Sequence, residues 1–157
     1  MSADNASAAS EQVRRLLLAV CAGLELEAAV EIDERDGEIT ATLIGDDLER
    51  LIGRNGRTID AVQHLAYKVA VQGDAGPRRV VVDANGYRER RRAILTRQAD
   101  QAADSALESD APVALDAMNA GERKLVHEYL KDRMGIETYS EGSEPDRHLV
   151  VAPLRST

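Results

Sequence analysis

Gly53-Arg54-Asn55-Gly56 interrupts a stretch whose apolar spacing is otherwise helical. The pattern predicts a short helix over residues 47–52 and a longer one over 57–72. Two glycines between helices permit a tight turn, with no Cβ to obstruct an approaching backbone. The first amides of the following helix lack intrahelical partners and sit at the positive end of its dipole. Such a helix start binds anions. Arg50, Arg54 and Arg57 surround it, and Asn55 adds a group able to bond sugar or phosphate. These residues could grip a phosphate backbone. Ile44, Leu51, Ile52 and Ile59 are candidates either for an apolar groove beside the turn or for the core.

A second group is Arg123 and His127, four residues apart and so on one helix face, with Lys124 adjacent. A guanidinium and an imidazole on one helical turn can hold a phosphate or a base edge. A third group opens the helix predicted over residues 87–108. Arg88, Arg90, Arg91, Arg92 and Arg97 fill its front, and Asp100, Asp104 and Glu108 its back. A helix dipole prefers the reverse order, by up to about 1 kcal/mol per charge at an end. Helix stability therefore leaves the pattern unexplained. Phosphate binding, with Arg88 and Arg91 as contacts, would explain it; a solvated arginine-rich face with local ion pairs is the alternative.

The charge distribution isolates these groups. The 157-residue chain carries −8 overall, which argues against unselective coating of DNA. Residues 1–49 hold 3 basic and 12 acidic side chains, residues 50–97 hold 11 and 4, and residues 98–157 hold 6 and 12. A basic middle is thus flanked by acidic segments, and the glycine turn lies in the middle.

The elements that must position these residues follow from periodicity. Residues 11–24 carry Val13, Leu16, Leu17, Val20 and Leu24 at helical spacing. Cys21 shares that face and reads as core; as the single cysteine it forms no internal disulfide, which fits a reducing cytoplasm. Residues 26–34 alternate as a half-buried strand, Asp36-Gly37 is a hairpin turn, and residues 38–44 return. Asp46 or Asp47 is expected to cap the next helix. Gly73 and Pro77 end the 57–72 helix, whose His64 is expected to be partly buried. A strand follows over 79–83. After the long helix come a strand over 112–115 and a helix opened by Asn119, with Glu122 completing a capping box. Gly135 stops that helix. Strands over 136–140 and 148–151 flank a turn, and His148 is expected at the surface. Residues 1–10 are small and polar and are expected to form a disordered tail rather than a signal peptide.

Several function classes are excluded on this reading. No run of about 18 apolar residues occurs, so no membrane insertion is expected. Three scattered histidines and one cysteine make no zinc pattern, so no metal is expected. There is no nucleophile motif and no Walker loop, so neither a catalytic residue nor a cofactor is assigned and an enzyme is not expected. With no Phe or Trp and only four Tyr, base stacking on a sheet of aromatics is also not expected.

The helix–GxxG–helix within an α-β-β-α-α-β order resembles a type II KH domain over residues 11–84. The stretch 118–127, followed by Thr138-Tyr139-Ser140-Glu141-Gly142, Glu144-Pro145 and Arg147, resembles the R-three-H domain, named for its Arg-x-x-x-His, over residues 85–157. The two in this order are similar to bacterial Jag (SpoIIIJ-associated) proteins. That resemblance implies an α+β fold, a type II KH domain followed by a small α/β domain with helices on a three-stranded sheet. It implies binding of single-stranded RNA, or single-stranded DNA, through the GxxG loop and the Arg-x-x-x-His helix. It further implies a cytoplasmic post-transcriptional regulator or RNA chaperone linked to cell division and cell-wall processes, with a separate small KH protein or a second copy as partner. Longer members carry an additional N-terminal Jag domain, which the ten residues before the KH stretch are not expected to supply. The alternative function is a protein-interaction module that dimerises with another KH protein and binds little RNA of its own.

Overall fold

The structure, a computed structural model, describes residues 7–72 and 76–155. It divides into two compact units, one up to Glu89 and one from Arg90.

In the first unit, helix α1 (Ala8–Gly23) precedes strands β1 (Ala29–Arg35) and β2 (Glu38–Ile44), which pair antiparallel through the Asp36-Gly37 turn. Strand β3 (Arg79–Ala84) pairs parallel to β2, giving the order β1-β2-β3. Parallel neighbours need a crossover, because the chain must return to the starting end of the sheet. Helices α2 (Glu49–Ile52) and α3 (Arg57–Ala70) are that crossover, and the glycine turn joins them. The core lies where Val13, Leu17 and Cys21 of α1 and Ile59, Val62 and Ala66 of α3 meet Ile39, Ala41, Leu43, Val80 and Val82 of the sheet. Burial raises the Cys21 thiol pKa above its ordinary value, consistent with packing as its role.

The second unit begins within helix α4 (Tyr87–Ser109). Strand β4 (Val113–Ala117), helix α5 (Ala120–Leu130) and strands β5 (Ile136–Glu141) and β6 (His148–Pro153) follow. The strands form an antiparallel sheet in the order β4-β6-β5, with an irregularity between Ala114 and Ala117. Leu95, Ala99, Ala103 and Ala106 of α4 pack with Val126 and Leu130 of α5 and with Leu149 and Val151 of β6.

The α+β class and the element order agree with the sequence reading, and several local expectations are corrected. The tail expected over residues 1–10 ends sooner: Ser7 caps α1, and residues 8–10 are helical. Residues 1–6 lie outside the described residues, as does Gly73. Neither Asp46 nor Asp47 caps α2; the position falls on Leu48, without a side-chain cap. The loop is fixed instead by Asn85, whose amide side chain bonds both the amide and the carbonyl of Gly45. His64 is exposed rather than partly buried. His148 is half-buried, its Nε2 3.6 Å from Glu141.

Candidate nucleic-acid interface

The turn between α2 and α3 depends on three residues at positive φ: Gly53 (73°), Asn55 (54°) and Gly56 (77°). Asparagine tolerates this region better than most residues. A Cβ on Gly53 would lie 2.2 Å from Thr58 Oγ1, and one on Gly56 would lie 2.6 Å from the Tyr87 hydroxyl oxygen. Thr58 and Tyr87 therefore close on the turn from two sides, and both glycines are required by geometry. Residues 54–56 form a single 3-10 turn leading directly into α3. No side chain caps the start of α3. Arg50, Arg54, Asn55 and Arg57 are all exposed around it, and none of their side chains makes a hydrogen bond or ion pair among the described residues. Of the four isoleucines and leucines considered for a groove, Leu51, Ile52 and Ile59 are core; Ile44 alone stays exposed.

Arg88 lies elsewhere in the unit and is engaged. Its Nε donates to the Val82 carbonyl at 2.8 Å, Nη1 to Asp60 at 3.0 Å and Nη2 to Gln63 at 2.9 Å. Gln63 in turn accepts from the Val82 amide at 2.9 Å. The network ties the start of α4 to α3 and β3.

In the second unit, Asn119 and Glu122 form the expected capping box at the start of α5. Arg123 is only 9% exposed. Its Nη1 donates to the Met118 carbonyl and its Nη2 to Glu144 at 2.8 Å. The guanidinium thus fastens the start of α5 to the β5–β6 turn. His127 is exposed, and its Nδ1 shares a hydrogen bond with the Thr138 hydroxyl of β5. Lys124 is exposed and makes no hydrogen bond or ion pair among the described residues. Arg91 pairs with Glu122 at 2.8 Å, both side chains largely covered.

These contacts correct the reading of the α4 charges. The back of the helix is satisfied by Arg133, which bonds Asp100 and Asp104, while Tyr129 donates to Asp100 at 2.9 Å. The front is satisfied in part by Asp60 and Glu122. Tertiary partners, invisible to a single-helix argument, account for Arg88, Arg91, Asp100 and Asp104 in a pattern that the dipole leaves unexplained. Sequence reasoning assigns no role to Tyr87, Thr58, Thr138 or Glu144. Thr138 and Glu144 fall in the segment that carries the R-three-H resemblance, which is the available signal; nothing in the spacing marks Tyr87.

Among the described residues, no group of three or more His, Cys, Asp or Glu is placed to hold a metal ion. No helix among them is long and apolar enough to cross a membrane.

Comparison with known proteins agrees with this geometry. The KhpA/KhpB KH domain matches residues 11–83, and the R-three-H domain matches residues 93–153. Similar proteins from several bacteria bear the name RNA-binding protein KhpB. The protein from Clostridium symbiosum is 33% identical over 84% of this chain and 60% of its own length. That from Lactiplantibacillus plantarum is 41% identical over 87% of this chain and 42% of its own length. That from Bacillus subtilis is 28% identical over 92% and 71%. The chain spans about half the length of the first two relatives. The matched domains occur in the order the two motifs predict, and the chain belongs to the KhpB (Jag) family, in which a KH domain is followed by an R-three-H domain.

Proposed function

We propose that the chain binds single-stranded nucleic acid, RNA foremost, with the 53–56 turn as its main grip. The observation that supports this most strongly is the pairing of a sterically closed GxxG turn with four exposed, uncommitted polar side chains at an uncapped helix start. A phosphate would accept from the first amides of α3 while Arg50, Arg54 and Arg57 neutralise its neighbours. Lys124 and His127 add contacts from the second unit. Arg88, Arg91 and Arg123 serve as positioning residues, since each guanidinium already has protein partners. The names of the relatives support RNA as the ligand. On this reading the protein works in the cytoplasm as a post-transcriptional regulator, in the cell-division and cell-wall processes that the family resemblance implies.

Fluorescence anisotropy with a pool of labelled single-stranded RNAs tests the grip. The Arg54→Asp/Asn55→Asp variant is expected to bind at least about tenfold more weakly, because two carboxylates then face the phosphates. Undiminished affinity in that variant would overturn the assignment.

A second reading is association with another KH protein or a second copy. Leu18 on α1 and Leu65 on α3, 47% and 51% exposed on two packed helices, favour it. Light scattering separates the readings: a dimer indifferent to RNA and broken by Leu65→Glu supports association.

A further inference from the structure

Helices α4 and α5 enclose a groove of about 470 Å³ on a face of α5 that His127 does not share. Its lining includes Arg92, Thr96, Gly121, Lys124, Leu125 and Tyr129. The volume falls within the range of small-ligand clefts, about 300–1,000 Å³.

Three features of this groove suit a ligand. The first is its cations. Arg88 and Arg91 in the arginine block bond protein groups, whereas Arg92 and Lys124 make no hydrogen bond or ion pair among the described residues. They stand beside a segment otherwise rich in acids. The one acid in the lining, Glu128, is paired with Lys131 at 3.1 Å, and that hydrogen bond lowers its pKa. The second is Tyr129. Its hydroxyl donates to Asp100 at 2.9 Å, which fixes the ring while the side chain stays 47% exposed. The same bond raises the phenol pKa, so the ring stays neutral. The third is Gly121. A Cβ there would meet nothing closer than Asn119 Oδ1, at 3.4 Å, and the backbone has no positive φ. Conformation does not require glycine in this first turn of α5, and the one neighbour a Cβ would touch is the capping Asn119.

We infer that this groove is a subsite for one nucleotide of a single strand, with Arg92 and Lys124 on its phosphate and the base laid on the Tyr129 ring beside Leu125. Gly121 keeps the entrance open. The charge complementarity is local: two cations that make no hydrogen bond or ion pair among the described residues, Lys124 attracted only at longer range by Glu128, lie next to a held aromatic face and suit a phosphate joined to a flat base. Stacking contributes without hydrogen-bond readout, so the subsite tolerates any base. The inference deepens the proposed RNA-binding role and rests on it.

Backbone NMR of the full chain, titrated with a hexanucleotide RNA and its DNA counterpart, tests the assignment. The expected result is shifts at Gly121, Lys124 and Leu125 in addition to Gly53–Arg57, with RNA and DNA alike if only phosphate and base are held. Gly121→Gln is expected to keep a thermal midpoint at or above wild type, to abolish the groove shifts and to bind about tenfold more weakly, as expected when one base no longer stacks. Arg92→Glu/Lys124→Glu, at two side chains that make no hydrogen bond or ion pair among the described residues, is expected to abolish the groove shifts and to weaken binding likewise, with a small loss of thermal midpoint because Lys124→Glu sets like charges four residues apart with Glu128. Shifts confined to Gly53–Arg57, with both variants binding like wild type, would overturn the subsite and leave the loop assignment standing. Groove shifts that persist in Arg54→Asp/Asn55→Asp would support the subsite whether or not the loop assignment stands. No shifts anywhere, or groove shifts with an acidic peptide and not with the oligonucleotides, would overturn the subsite.

Discussion

Arg54 holds its guanidinium in solvent, whereas Arg123 buries its own between the Met118 carbonyl and Glu144. The two motif arginines should therefore separate binding from stability. Arg54→Ala removes no protein partner and should change the unfolding free energy by less than about 0.5 kcal/mol. Arg123→Ala leaves the Met118 carbonyl without its side-chain partner and opens a void, at a cost of about 1–3 kcal/mol. Arg123→Lys should recover little, because one ammonium does not reproduce a planar fork spanning two acceptors. Urea denaturation of the three variants checks this; a neutral Arg123→Ala would show that the buried guanidinium contributes nothing net. Gly56 makes a parallel case. Alanine there must adopt a φ near +77° and intrude on Tyr87, so Gly56→Ala should lose about 1–3 kcal/mol even with no RNA present. Retention of the wild-type midpoint would mean that the turn relaxes and that the glycine serves ligand approach alone.

At the scale of elements, α1 is anchored by one carboxylate. Glu34 of β1 accepts from the hydroxyls of Ser7, at 2.8 Å, and Ser10, which is buried at the helix start. The Ser10 and then the Ser7 hydrogen bonds lower the Glu34 pKa. A carboxylate whose folded pKa is depressed stabilises the fold above its unfolded value, about 4.3 for glutamate, and loses that contribution as pH falls through the folded value. Hydrogen exchange at the start of α1 should therefore quicken as pH drops below about 4, after correction for intrinsic rates, and Glu34→Gln should remove that dependence. The same dependence in the glutamine variant would assign it to other carboxylates. None of this anchoring is legible from periodicity, which starts α1 at residue 11 and leaves residues 7–10 to a tail. What periodicity does report is burial: Leu17 and Val13 on α1, and Ile39, Ala41 and Leu43 on β2, are all fully covered as their spacing requires. The GxxG turn is legible because φ-positive glycines leave a composition signal. The roles of Arg88, Arg91 and Arg123 are not, because a guanidinium meant for phosphate and one meant for Asp60, Glu122 or Glu144 have the same letter. Partners 21–31 residues away decide between them.

For the molecule as a whole, the governing quantity is a small basic site in an acidic chain. With about three to five phosphates held, log affinity for single-stranded RNA should fall with log salt at a slope of roughly −2 to −3.5, taking about −0.7 per phosphate. The net charge of −8 adds an opposing effect. At about 0.1 M salt the Debye length is ~10 Å, so acidic side chains farther from the turn are largely screened and local contacts set the slope. Near 0.01 M it extends to ~30 Å, and repulsion from the acids of residues 1–49 then reaches a strand at the turn. Added salt relieves that repulsion while it competes for the phosphates, so the two effects act in opposite directions. The double-logarithmic plot should be steep above about 0.1 M and flatten towards about 0.01 M, where a site on a basic protein would keep its slope. Arg54→Asp/Asn55→Asp should make the steep portion shallower by about 0.7 for each phosphate it no longer holds. A slope near zero at all salt concentrations would remove the phosphate grip itself, and a straight line down to low salt would show that the acidic flanks do not reach the bound strand.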